Sequence, residues 1–505
     1  MSWRIVITER DYAALREALL RPDHDEHAAF LYAGLHRGPD RDRLLVRNVV
    51  AVADEDFGPS TRGAYRAVSA KAIARAARQC AEEGLCLIWA HSHPRAGNSV
   101  LFSRDDLDSH ARAHPAMIDM TMGKPVAGLV LGEASAAAEV WVPGKEPARA
   151  DSLRVVGWHT RDLTPEPVDV NDAQERFNRQ ALLFGSEGQA ILRRLKVCIV
   201  GGGGGGSLIA QSLAHLGVGR IQIIDYDRVS ESNLSRIVGA GPDDVGRSKI
   251  DVLEEMINTI DPTIEVDSVF GDITYAETAR LIGDADAAFL ATDTILARYA
   301  FNAAVHHYLV PGFQVGAKVT IDPATELVEQ IHVMNRPLLF DAGCLSCAGV
   351  IPPAALKREQ ESPEERAAQN YVGGGEEGDD DVEDPAVITL NSIATALATT
   401  DFLFAFTGLF AEGIDRENQV YYPQQRQLRR RPVDSRQSCR WCNRDHPYTG
   451  FAAGDLEELP LRPGRRSFVQ DDYTPMEQTE GALALMGRLR AFFSRPRSGA
   501  GHQTE

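Results

Sequence analysis

Two histidines one residue apart, His91 and His93, close the apolar run LCLIWA, and Asp106 follows on the next predicted helix. Side chains alternate faces along a strand, so the two imidazoles point the same way and can share one metal ion. Asp106 falls in the first turn of a helix for which Ser103 is the N-cap, and it offers a third ligand. Three protein ligands leave a tetrahedral zinc ion one open position for water, the arrangement of a catalytic site. Such a metal brings the pKa of that water down toward about 7. Hydrolysis then needs a carboxylate to carry the proton and a donor to stabilise the oxyanion. Taken alone, an HxH at a strand end also fits a pair that only caps and hydrogen-bonds. Cys344–Cys347 and Cys439–Cys442 make the opposite arrangement. Two CxxC pairs supply four thiolates and leave no open position, which is the signature of structural zinc.

A second kind of chemistry is written in the run Gly201 to Gly206, between the strand-like KVCIV and a helix. Glycines let the backbone approach a nucleotide closely, and the helix N-terminus favours phosphate. Asp225 ends the next strand, IQIID, where a carboxylate meets a ribose hydroxyl. By themselves these features fit NAD, FAD or ATP equally.

The surroundings carry two resemblances. HSHP, then Ser103-Arg104-Asp105-Asp106, with Glu26 just before AAFLYAG, resembles the signature of the JAMM (MPN) metallopeptidases, although the spacer after His93 is longer than usual. That family cuts peptide or isopeptide bonds at the C-termini of ubiquitin-like proteins. The resemblance implies that His91, His93 and Asp106 hold a catalytic zinc, that Glu26 is the general base, and that Ser103 polarises the scissile carbonyl.

RFNRQALLFGSEGQ, DYDRVSESNLSR, VGRSK and FLATDT, in that order, resemble the E1-like adenylating family (the MoeB/ThiF group and the ubiquitin-activating enzymes) over most of residues 171–445. In that chemistry a carboxylate attacks the α-phosphate of ATP, so cations must gather around the phosphates and an acid must hold Mg²⁺. The resemblance implies a nucleotide loop lined by Gly201, Gly203, Gly204 and Gly206. It gives Asp225 to the ribose, Arg236 and Lys249 to phosphate, Asp293 to Mg²⁺, and Asn233 to the same pocket. Arg179 resembles an arginine that such enzymes lend to the other subunit, which implies a homodimer. Ile237 and Thr294 replace the family's usual Gln and Asn. A nicotinamide-binding reading would leave Arg236, Lys249 and the cysteine pairs without a purpose.

Outside the zinc pairs only Cys80, Cys86 and Cys198 remain, all in apolar stretches, and residues 348–400, where the family places its acyl acceptor, hold no cysteine. A thioester step is therefore unsupported. Three routes stay open: direct transfer to a partner's nucleophile, sulfur from a separate donor, or an oxyester on Thr389 or Ser392.

The elements that must position these residues follow from patterning. HAAFLYAGL, RLLVRNVVAV, VAGLVLGE and AAEVWVPG read as strands, and Tyr65 to Ala81 as a helix. TRDLTPEPVDV reads as a linker, residues 356–385 as a loop too polar to order itself, and ALALMGRLRAFF as a short amphipathic helix. The stretch from Glu376 to Asp384 is acidic enough to cover a carrier's tail, although a merely solvated loop explains it as well. The fold expected is α/β. A JAMM/MPN-like domain spans 1–158 and a linker 159–170. A Rossmann-like E1 adenylation domain with a mostly parallel sheet spans 171–450, and a C-terminal extension spans 451–505.

The chain of 505 residues carries a formal net charge of -19, which disfavours nucleic-acid or anionic-membrane partners. No uninterrupted apolar run approaches the roughly 18 residues of a membrane span, so a cytoplasmic protein is expected. Together these readings describe a bifunctional activator and processor of a ubiquitin-like protein ending in Gly-Gly, in a bacterial-type conjugation pathway, with ATP, Mg²⁺, two zinc ions and an E2-like protein as a further partner. The alternatives are activation of a sulfur carrier, with tail processing, and a non-catalytic docking scaffold.

Overall fold

The first strand, β1 (Ser2–Thr8), is buried along nearly its whole length, and Thr8 caps the helix that follows, α1 (Glu9–Leu19), by accepting from Asp11 N. β2 (Ala28–His36) and β3 (Arg41–Ala51) form an antiparallel hairpin. The next helix, α2 (Ala70–Glu83), starts at Ala70 rather than near Tyr65, because Ser69 accepts from Ala72 N and fixes its first turn. β4 (Cys86–Ser92), α3 (Arg104–Met120), β5 (Val126–Leu131), β6 (Ala136–Trp141), β7 (Ala148–Arg149), β8 (Ser152–Val156) and β9 (Arg161–Leu163) complete a nine-stranded sheet ordered β7-β6-β5-β4-β2-β3-β1-β8-β9. Tyr12, Leu15 and Leu19 of α1 close one face, and Ala72, Ala76 and Cys80 of α2 with Met117 of α3 close the other. The segment expected as a linker begins as β9, paired antiparallel with β8, because Asp162 accepts from Ser152 Oγ (2.8 Å) and Arg154 (2.6 Å). This is a computed structural model, and it describes residues 2–461 apart from 24, 59–66, 168–174, 323, 324, 326, 341, 362–384, 415, 447, 448, 456–458 and 460. The expected acidic loop from Glu376 to Asp384 and the helix at ALALMGRLRAFF lie outside the described residues.

The second unit begins with α4 (Asn178–Arg194), broken at Gly185 by a φ of 74°. A βαβ succession follows: β10 (Lys196–Val200), α5 (Gly204–Leu216), β11 (Arg220–Asp225), α6 (Lys249–Ile260), β12 (Glu265–Phe270), α7 (Ala276–Arg280), β13 (Ala287–Leu290), α8 (Ile295–Tyr308) and β14 (Gly312–Ile321). Then come β15 (Val328–Leu338), α9 (Pro353–Gln360), α10 (Ile388–Thr407), β16 (Asn418–Tyr422) and β17 (Gln427–Arg431). The sheet is mixed. Strands β12-β11-β10-β13-β14 are parallel, as expected for a nucleotide fold, while β15, β16 and β17 continue it as an antiparallel ribbon. By length and composition α10 is apolar enough to cross a membrane, yet its Ala394, Ala398, Phe402 and Ala405 pack in the same core as Phe289 and Phe313.

The two units are welded together. Val6, Leu45 and Val156 share one core with Cys198, Leu290, Phe301 and Phe451. Across that junction Asp286 receives Arg4 (2.7 Å), Arg43 (4.0 Å), Arg154 and the backbone N–H of Lys196 (3.0 Å). Burial alone would raise the Asp286 carboxyl, but the guanidinium groups outweigh it and hold it well below the usual carboxylate range. The start of the expected C-terminal extension belongs to this core: Phe451, Ala452 and Ala453 are buried, and Gly454 bridges parallel to Leu35.

Candidate active sites

The parallel strands β10, β11 and β13 end at a cavity of about 730 Å³. Gly201, Gly203, Gly204, Asp225, Arg236, Lys249 and Asp293 all line it. Gly201 sits at φ 97°, in the left-handed region, where a Cβ would lie 2.8 Å from Ala291 O. Gly203 caps α5 with open space in front of it, which suits a phosphate approaching the helix N-terminus. Asp225 accepts from the backbone N–H of Gly202 (2.5 Å) and Asp227 (2.6 Å). Burial pushes its carboxyl up, against the opposing pull of Lys249. Lys249 Nζ lies 2.7 Å from Asp227 Oδ2, and Arg236 donates to Ser232 O at 2.8 Å.

A second cluster stands at the end of β4. His91 pairs with Ala28 across β2, so the register carries Glu26 opposite His93. His91 Nε2 lies 3.3 Å from Asp106 Oδ1, and His93 Nε2 lies 3.3 Å from Asp106 Oδ2. The three residues' ligand atoms are grouped within 4.8 Å. Burial alone would raise the Asp106 carboxyl, but the two imidazoles and Ser103 hold it well below the carboxylate range. Burial pushes the half-buried Glu26 carboxyl up, the direction that suits a proton carrier. Among the described residues, His91 Nε2 is buried and makes no well-aligned hydrogen bond beyond its 3.3 Å approach to Asp106 Oδ1, a pairing that a metal between the two would complete. Ser103 was expected to polarise a substrate carbonyl. Its hydroxyl donates to Asp106 Oδ2 (2.7 Å) and accepts from Asp106 N (3.2 Å), a capping box that fixes the Asp106 side chain beside the two histidines.

The four cysteines converge although 95 residues separate each first-pair thiol from its neighbour in the second. Sγ–Sγ separations are 3.4 Å for Cys344–Cys439, 3.5 Å for Cys347–Cys442 and 4.0 Å for Cys344–Cys347. A disulfide needs about 2.05 Å, whereas thiolates around a zinc at about 2.3 Å stand roughly 3.8 Å apart. The set fits structural zinc, clamping the end of β15 to the segment after β17.

The ThiF family model matches residues 177–428. Over 187 residues the chain is 32% identical to the molybdopterin-synthase adenylyltransferase of Escherichia coli (strain K12), covering 35% of this chain and 74% of that protein. The chain belongs to the ThiF family. Over 183 residues it is 30% identical to the sulfur carrier protein adenylyltransferase of Thermus thermophilus, covering 35% of this chain and 65% of that one. A solved structure of E. coli MccB with MccA-N7isoASN aligns at 18% identity and a TM-score of 0.44, over 54% of this chain and 76% of its own. The family match leaves residues 1–176, with the histidine cluster, uncovered.

Within the ThiF unit, not every residue expected at the nucleotide site reaches the cavity. Gly206 does not line it: a Cβ there would lie 1.7 Å from Gly201 O, so this glycine lets α5 press against the loop. Asn233 is also outside it, because its Oδ1 accepts from Ser230 N (3.4 Å) and closes the short helical turn that presents Arg236. Arg179 is exposed on α4 and does not line its own chain's cavity. Ile237 is buried in the core and Thr294 caps α8 by accepting from Ala297 N. Other lining residues escaped sequence reasoning. Arg298 stands one turn into α8. Asn391 and Thr395 come from α10 and Glu359 from α9, where it accepts from Ile295 N (3.0 Å) and Leu296 N (2.7 Å). No local spacing announces these three.

Proposed function

We propose that the chain uses ATP to adenylate the C-terminal carboxylate of a small ubiquitin-like carrier protein, and that its N-terminal unit is a zinc hydrolase acting on peptide or isopeptide bonds of the same class of partner. The observation carrying the first half is the convergence of Arg236, Lys249, Asp225 and Asp293 on one cavity floored by the glycine loop. Asp225 would meet the ribose, the open N-terminus of α5 would meet phosphate, and Arg236 and Lys249 would meet the charge that grows as pyrophosphate departs. Asp293 would hold magnesium, which neutralises phosphate charge. The carrier's carboxylate attacks the α-phosphorus, a mixed anhydride with AMP forms, and pyrophosphate leaves. Arg179, exposed on α4, is available to reach a second copy of the chain.

For the carrier's fate the relatives favour sulfur transfer, since their names describe a molybdopterin-synthase and a sulfur carrier protein adenylyltransferase. The thiols agree. Cys80, Cys86 and Cys198 are buried, and burial pushes Cys86 and Cys198 up to about 12, so none is a ready acyl acceptor. Ser392 donates its hydroxyl to Ile388 O within α10 (2.8 Å), which argues against an oxyester there. Conjugation of the carrier to another protein remains the rival fate.

For the hydrolase, His91, His93 and Asp106 would hold zinc, whose Lewis acidity activates water. Glu26 takes the proton and returns it to the leaving amine. Cys344, Cys347, Cys439 and Cys442 would hold a second, structural zinc.

The adenylation half is tested by ATP–pyrophosphate exchange dependent on a Gly-Gly-terminated carrier. Asp293→Ala should abolish exchange. Exchange retained by that variant removes Asp293 from its role, and no exchange with any such carrier favours a docking scaffold.

A further inference from the structure

One turn beyond Asp106, α3 carries two more histidines, His110 and His114, both buried. Trp89, Gly128 and Glu139 lie in one row across β4, β5 and β6, paired Trp89 with Gly128 and Gly128 with Glu139. Gly128 makes the room: a Cβ there would stand 2.3 Å from His110 Cε1. Glu139 Oε1 is 2.9 Å from His110 Nδ1 and accepts from Trp141 Nε1 at 2.9 Å. His114 stacks on His110 with ring centroids 4.4 Å apart, and it is fully buried with neither ring nitrogen hydrogen-bonded among the described residues. A neutral imidazole always presents one donor and one acceptor, so leaving both unmet in the interior calls for an unseen partner.

We propose that His110, His114 and Glu139 form a further divalent-metal site of the zinc class, separate from the His91–His93–Asp106 cluster. Their ligand atoms already lie within 4.8 Å of one another. Zinc ligands at about 2.0–2.1 Å stand roughly 3.4 Å apart, so closing on an ion takes a ring rotation of about an ångström. Two imidazoles and one carboxylate are a donor set that zinc accepts. Burial pushes His114 down to about 3, so it is neutral and has a lone pair to give. The ion would brace α3 against β6 and thereby steady Asp106, which rides on the same helix. It needs neither the adenylation chemistry nor the hydrolytic zinc.

The test counts zinc in the purified full chain by native mass spectrometry, in a His91→Ala/His93→Ala background that removes the neighbouring cluster by design. Two zinc ions per chain are expected there, one on the cysteines and one on this site. One ion is expected after adding His114→Phe, which fits the ring's space and deletes no hydrogen bond. A single ion in the double variant, or two ions in both proteins, overturns the proposal. Replacing zinc with Co²⁺, which quenches nearby indole emission, gives a readout without a core substitution. Trp89 and Trp141 lie 6.5 and 5.3 Å from His114 between ring centroids. Their emission should fall as the second Co²⁺ equivalent binds the double variant; unchanged emission overturns the site.

Discussion

Glu26 and Asp106 stand in the same electrostatic neighbourhood and are driven in opposite directions. Asp106 keeps its charge beside two imidazoles, while burial lifts Glu26. In the proposed hydrolase that split suits Asp106 to holding the metal and Glu26 to carrying the proton. Glu26→Gln is therefore expected to leave zinc bound and to cut hydrolysis of a carrier-tail peptide by about 10²–10⁴-fold. Undiminished cleavage would remove Glu26 from the reaction. At Gly206 the constraint is steric, and Gly206→Ala should cost about 1–3 kcal/mol of stability by overpacking, together with loss of pyrophosphate exchange as the loop shifts. A denaturant titration showing neither change would contradict the 1.7 Å approach to Gly201 O. His91, His93 and Asp106 were legible because strand alternation and helix capping are local rules. The roles of Gly206 and Asn233 were not, because a loop motif says which residues are present and not which of them face the ligand.

Among the elements, α3 has the most to do. Its capping box holds Asp106 by two hydrogen bonds from Ser103, through the backbone N–H and the hydroxyl, both 2.7 Å. Ser103→Ala should cost about 1 kcal/mol of stability, and by loosening a ligand's support should weaken zinc binding by roughly 10-fold or more. Chelator competition measures the second effect; zinc affinity equal to wild type would leave Ser103 as a cap and nothing more. Strand periodicity recovered β2 to β6 and the βαβ start, because those elements bury a regular face. It missed β9, whose pairing depends on Asp162 meeting Ser152 and Arg154, and it missed where the parallel sheet turns into the antiparallel ribbon of β15, β16 and β17.

Across the whole molecule the junction decides whether two units act as one. Arg4, Arg43 and Arg154 come from β1, β3 and β8, and Asp286 from the second unit, so the cluster is a buried ionic weld. Asp286→Asn removes the carboxylate that the three guanidinium groups share, leaving Arg154 only Asp162 and Arg43 only the carbonyls of Asp284 and Ala285, and should cost up to about 3–5 kcal/mol, read as a lower denaturation midpoint. A change below about 1 kcal/mol, the scale of an exposed pair, would mean that the junction is wet. Composition shows none of this, since Phe451 and Gly454 sit in a stretch where the chain turns polar and find their partners on β2 and in the second unit's core only after folding. The most direct measurement of the central claim is mass spectrometry of a Gly-Gly-terminated carrier after incubation with the full chain, ATP and Mg²⁺. The account predicts AMP on the carrier's terminal carboxylate, converted to a thiocarboxylate when a sulfur donor is supplied. A carrier left unmodified, with nicotinamide or flavin bound in the glycine-floored cavity, would contradict it.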